Sequence, residues 1–193
     1  MRHIDVFPEP TPLDVAVRRA ALEPRVRALR RPLAPLFALG LPGGYITIAY
    51  LTAHALRRRH KRGGSAIVAS AWAGWLVHRA VKIVLVRERP HERGRRRRDD
   101  SFPSGHTTGA TALSVTTARV LYREGMISKR VAMAIAAGGP IVMGAYRIID
   151  DEHWATDVIG GWLLGAAIAA TVLAPCRRAP SRRIRRARAT SAA

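Results

Sequence analysis

Acidic residues are scarce in this chain: 13 Asp and Glu stand against 33 Lys and Arg over 193 residues, a formal net charge of +20. Cysteine is scarcer still, with Cys176 alone. A single thiol excludes an internal disulfide and leaves cysteine usage silent on redox compartment. Residues 1–31 hold scattered charges and prolines and no apolar core of the kind a cleavable signal peptide needs. Internal repeats and low-complexity linkers are missing as well, and the length suits one domain.

What is present is a segregated pattern. Basicity spread evenly would read as nucleic-acid binding, but here the charges cluster in short runs between long apolar stretches, so no nucleic-acid partner is expected. Five apolar runs stand out, at residues 33–56, 65–86, 105–122, 131–149 and 158–175. Each is near the roughly 20 residues an α-helix needs to cross a bilayer core. The expected fold is all-α: a polytopic membrane helix bundle of about five transmembrane helices in a multi-pass cell-membrane protein. Residues 1–32 form a basic N-terminal arm, either an interfacial amphipathic helix or a solvated segment. Residues 33–176 form the transmembrane domain, and residues 177–193 an Arg-rich tail expected to be disordered. Pro42-Gly43-Gly44 should kink or unwind the first run. Gly161 and Gly165 have the small-xxx-small spacing that permits close helix packing.

If all five runs span, three polar corners share one face of the membrane: residues 87–100, 103–106 and 147–157. Charges within spans cost roughly 2.5 to 3.5 kcal/mol each even on the gentle insertion scale, so those present need a reason. Pro103 suits a first helical turn, and Ser104 and Gly105 then leave main-chain N–H groups at a helix start, a ready anion site. His106 puts a group that titrates near neutral pH beside it. Lys82 and Arg89 are seven apart and share a face if their helix continues. Arg147 and His153 bracket an acidic corner, and His153 and Asp157 are four apart, so Asp157 can hold one imidazole nitrogen and leave the other facing the site. Taken singly, Lys82 reads as a snorkelling lysine, His153 with Trp154 as an interfacial pair, and Asp157 as a helix cap. Taken together they describe a pocket for a tetrahedral, multiply charged anion beside an activated nucleophile. Asp99, Asp100, Asp150 and Asp151 read as solvated corner acids rather than a metal site.

Lys82-x6-Arg89-Pro90, Pro103-Ser104-Gly105-His106 and Arg147-x5-His153-x3-Asp157 resemble, in order, the three-part signature of the type 2 phosphatidic acid phosphatase superfamily, which vanadium-dependent haloperoxidases share. One departure is Tyr146, where the family usually has Ser. The resemblance implies His153 as nucleophile through a phosphohistidine, Asp157 as its orienting carboxylate and His106 as general acid. It implies Lys82, Arg89, Ser104, Gly105 and Arg147 as phosphate-binding groups, and no metal or other cofactor. The substrate it implies is a membrane lipid phosphate or polyprenyl (di)phosphate, with anionic headgroups held by the Arg-rich segments. Membrane members usually carry six spans, so this chain is expected to lack one at its N-terminus, and they usually face out of the cytoplasm. Two other classes fit parts of the pattern: a haloperoxidase-like enzyme holding vanadate, and a non-enzymatic basic membrane protein binding anionic lipid. Basic residues divide almost evenly between the two faces, so the positive-inside rule does not choose an orientation.

Overall fold

The computed structural model describes residues 4–5, 9–92 and 101–177. The basic run 93–98, Asp99, Asp100 and the Arg-rich tail from 178 onward lie outside the described residues.

The basic arm folds as helix α1 (Pro12–Ala21), followed by the short helical turns α2 (Pro24–Arg27) and α3 (Arg30–Leu33). Pro12 sits in the first turn of α1, and Thr11 and Asp14 close a reciprocal capping box at its start. The first apolar run is split, as Pro42-Gly43-Gly44 foretells. Helix α4 (Pro35–Gly40) ends before an extended Leu41, and Pro42 opens helix α5 (Pro42–Arg58). The remaining runs are helices α6 (Gly64–Val84), α7 (Gly105–Arg123), α8 (Lys129–Ile149) and α9 (Ala155–Arg177). Helix α6 gives way to β2 (Leu85–Val86), a two-residue extended stretch paired in parallel with β1 (Ile4–Asp5).

Helices α6, α8 and α9 are long and apolar enough to cross a membrane. Helix α5 is 17 residues long, and α7 is rich in Thr, Gly and Ala. The shortfall of α7 has a physical reason. It is the central helix, packed against α6, α8 and α9, so its surface meets protein rather than lipid. Its buried Thr108 and Thr111 hydroxyls donate to Ser104 O and Thr107 O one turn back, so they need no outside partner. The outer helices carry the apolar exterior instead, with Leu51, Leu76, Ile83, Met133, Ile141 and Leu163 all exposed. A ring of exposed aliphatic side chains around a helical bundle is the surface a lipid environment asks for.

Close approach at the centre depends on glycine. A Cβ on Gly165 would lie 2.6 Å from Thr108 O, and one on Gly161 would lie 2.9 Å from Ser104 O. The small-xxx-small pair therefore faces α7 and lets its backbone come within contact distance of α9.

Candidate active site

Successive helices run in opposite directions, so one end of the bundle collects the start of α5, the end of α6, the start of α7, the end of α8 and the start of α9. A cavity of about 320 Å³ lies there. Its wall holds Lys82, Arg89, Gly105, His106, Arg147 and His153, together with His78 and Glu152 and the apolar groups Phe37, Gly40, Pro42 and Tyr45.

Lys82 and Arg89 reach the cavity by a different route from the one their spacing suggests. The helix stops at Val84, and the chain runs extended through Leu85 and Val86. Pairing with β1 holds that stretch open, and Pro90 disfavours helical backbone at Arg89. The two cations therefore converge from a helix end and a loop.

Pro103 lies outside α7, and Ser104 is its N-cap. Ser104 Oγ accepts from the Thr107 hydroxyl at 2.9 Å, while the Ser104 N–H donates to Asp157 O at 3.1 Å. Ser104 is thus fully buried behind the cavity wall, its N–H already engaged. Gly105, the first helical residue, is on the wall. Its N–H has no intrahelical acceptor, as at any helix start, and a Cβ there would lie 2.7 Å from His78 Nε2. His106 stacks on Phe37 with ring centroids 5.0 Å apart, and its Nε2 is buried without a hydrogen-bond partner among the described residues.

Helix α8 delivers Arg147, whose guanidinium lies 5.5 Å from the Phe37 ring and 5.9 Å from the Tyr146 ring. Tyr146, the departure from the usual Ser, is itself buried and flanks that guanidinium. Beyond Ile149 the chain turns sharply, with Asp151 in the left-handed region at φ 57°, a conformation Asp tolerates better than most residues. The turn brings Glu152 back over the cations. Its Oε2 accepts from Arg89 at 2.8 Å and lies 3.5 Å from Arg147. Asp150 and Asp151 are not solvated acids. Arg30 and Arg18 of the arm pair with them at 2.5 and 2.7 Å, which fixes the arm to the cavity end of the bundle.

His153 is buried, with Nδ1 3.5 Å from Asp157 Oδ2. That is the long limit of a hydrogen bond, and Nδ1 has no closer partner among the described residues. Burial pushes the imidazole down to about 3, against the opposing pull of Asp157, so it is a neutral base at ordinary pH. Asp157 also caps the start of α9: its Oδ2 accepts the Trp154 N–H at 2.8 Å, and its Oδ1 accepts from Arg87 at 2.5 Å.

The sequence did not single out His78, Arg87, Glu152 or Asp14 for this site. One signal was available: His78 is one turn before Lys82 and so shares its face. The others arrive by tertiary folding.

A bundle with an apolar exterior, closed at one end around a cavity lined by three histidines and three cations, defines a membrane helical protein with a cationic pocket. The chain belongs to the PAP2 superfamily, whose family model matches residues 64–178, more than half of its length. Over 74 residues it is 34% identical to an undecaprenyl-diphosphatase of Sulfolobus acidocaldarius, a stretch covering 36% of this chain and 31% of that protein. The chain thus aligns with about a third of the length of that curated relative. Its fold is similar to the crystal structure of a transmembrane PAP2-type phosphatidylglycerolphosphate phosphatase from Bacillus subtilis, with a TM-score of 0.72, 22% identity and 86% of each chain covered.

Proposed function

We propose that this protein is a membrane phosphatase that hydrolyses a lipid phosphate or polyprenyl (di)phosphate, without a metal ion, through a phosphohistidine on His153. One observation carries the reading: the cavity that holds His106, His153 and three cations adjoins an apolar cleft. That cleft, about 410 Å³, lies between α4, α5, α7 and α8, is walled by Leu36, Leu39, Ile48, Leu113, Val142 and Met143, and shares Tyr45 with the cavity. A phosphate headgroup fits the first space and a hydrocarbon tail the second. The names of the two similar proteins point to the same class of substrate.

In the reaction, neutral His153 attacks phosphorus with Nε2. The P–N bond forms as the P–O bond to the lipid breaks, and His106 gives its proton to the leaving oxygen. Water then attacks the phosphohistidine, its proton passes to His106, the P–N bond breaks and phosphate leaves. Lys82, Arg89, Arg147 and the Gly105 N–H hold the non-bridging oxygens through the five-coordinate state. Ser104 serves them from behind the wall by capping α7. Asp157 supports the positive charge that His153 gains. The catalytic end faces out of the cytoplasm, and the Arg-rich run 177–188 sits at the anionic inner leaflet, where each basic residue near the surface gains about 1 kcal/mol.

The test is phosphate release by the purified protein across a panel of lipid phosphates in excess EDTA. Release is expected to survive the chelator, to be inhibited by vanadate as a five-coordinate mimic, and to vanish for every substrate in His153→Ala. Activity lost to chelator and restored by magnesium, or retained in His153→Ala, overturns the mechanism.

A further inference from the structure

Behind His153, on the side away from the cavity, lies a buried ionic chain that begins in the N-terminal arm. Asp14 on α1 is completely buried. Its Oδ2 accepts from Arg87 at 2.7 Å, and its Oδ1 accepts the Thr156 N–H and the Thr156 hydroxyl, both at 2.9 Å. Arg87, 3% exposed, donates through its other terminal nitrogen to Asp157 Oδ1 at 2.5 Å and to the Thr156 hydroxyl at 2.6 Å. Trp154 covers the guanidinium at 5.6 Å and is fixed by its indole N–H to Glu88 O at 2.8 Å.

One guanidinium therefore serves two buried carboxylates, one from the arm and one from the catalytic pair. We infer that Asp14 is a positioning residue for the reaction: it shares the charge of Arg87 and so leaves Asp157 able to support His153.

The electrostatics decide the direction. Without Asp14, more of the charge of Arg87 falls on Asp157 in a poorly screened interior. Asp157 is then drawn toward Arg87 and stabilises less well the positive charge His153 acquires when it is phosphorylated. Burial alone would raise the Asp14 carboxyl, yet bonds from Thr156, Arg87 and Thr11 outweigh it and hold the group below its usual range, so Asp14 is the anion this role requires. On this account the arm completes the active site, and its Arg18–Asp151 and Arg30–Asp150 pairs hold α1 in register for it.

The inference rests on His153 as nucleophile, and the experiment keeps the two apart. In Asp14→Asn, kcat is expected to fall at least tenfold with KM within about twofold of wild type, because the phosphate-binding groups are untouched. Adding Arg87→Gln removes the cation that competes with His153 for Asp157 and should recover part of that kcat, giving a favourable coupling in the double-mutant cycle. A mere anchor for α1 predicts additive losses and no recovery. If Asp14→Asn keeps wild-type kcat, or if the double variant shows no recovery, the inference is overturned. Should Asp14→Asn fail to fold, Thr156→Val loosens the same chain with all three charges kept; a fall in kcat at constant KM supports the inference, and unchanged kcat overturns it. His153→Ala run alongside reports on the nucleophile alone: activity retained there sinks the parent reading, whereas a silent Asp14→Asn beside a dead His153→Ala sinks only this one.

Discussion

The Glu152 carboxylate bridges Arg89 and Arg147, two of the cations proposed to hold the substrate phosphate. Any phosphate that uses both guanidiniums must displace or share that internal anion. Glu152→Gln removes the competing charge, and KM for a lipid phosphate is expected to fall several-fold in a steady-state assay; an unchanged or higher KM would show that the carboxylate does not compete. His106 makes a sharper kinetic prediction. A general acid matters most when the leaving oxygen is basic, so His106→Ala should lose far more activity on alkyl phosphates than on nitrophenyl phosphate. Equal losses on both would contradict the acid role. His153 adds a dependence on pH. Its native imidazole is depressed to about 3, whereas an unfolded histidine titrates near 6.5. The unfolded state therefore binds a proton first as pH falls, so the stabilisation tied to a neutral His153 is complete above about 6.5 and is lost progressively below it. Against His153→Gln, which does not titrate, wild type should lose Tm as pH drops from 7 to 5. Parallel Tm curves for the two proteins would mean that His153 has an ordinary pKa.

The elements act by where they stop. Helix α6 ends two residues after Lys82, α7 begins one residue before His106, and α9 begins two residues after His153, so each of these groups sits at a helix end rather than in mid-helix. The α7–α9 contact sets the relation between the two histidines, and it depends on Gly165. Gly165→Val would press new atoms against Thr108 O and Thr111, where even a Cβ sits 2.6 Å away, and overpacking of this kind costs about 1 to 3 kcal/mol. Gly138→Ala is the control. A Cβ there meets nothing within 4 Å, and in a helix interior Ala is favoured over Gly by up to about 1 kcal/mol. Thermal unfolding in detergent should show a lowered Tm for the first variant and an equal or raised Tm for the second; the reverse order would mean the α7–α9 contact is looser than described.

At the scale of the whole molecule, the bundle has a chemical end and a plain end. The arm and the acidic corner close the first, while Arg58 and the turn after α7 mark the second. Ala28 and Arg58 are exposed at opposite ends, so cysteines introduced there, in a Cys176→Ala background, report orientation. In intact cells an impermeant maleimide should label Ala28→Cys and spare Arg58→Cys. The opposite pattern would place the catalytic end in the cytoplasm.

Much of this was readable along the chain. Apolar runs of bilayer length separated by charge clusters require helices that share one environment, and the Lys82–Arg89, Pro103–His106 and Arg147–Asp157 spacings mark out in the order of residues alone the groups that the fold gathers at one end, with Lys82, Arg89, His106, Arg147 and His153 on one cavity wall. Spacing speaks only within an element, though. It misjudged the route of Arg89, because a pairing with β1 replaced the last helical turn, and it read Asp150 and Asp151 as solvated because their partners, Arg30 and Arg18, lie more than a hundred residues away. The same distance hid Asp14. A capped acidic residue in a basic arm looks like any helix start, and only folding the arm against α9 sets it beside Arg87, where a buried charge must find its counter-charge wherever along the chain that lies.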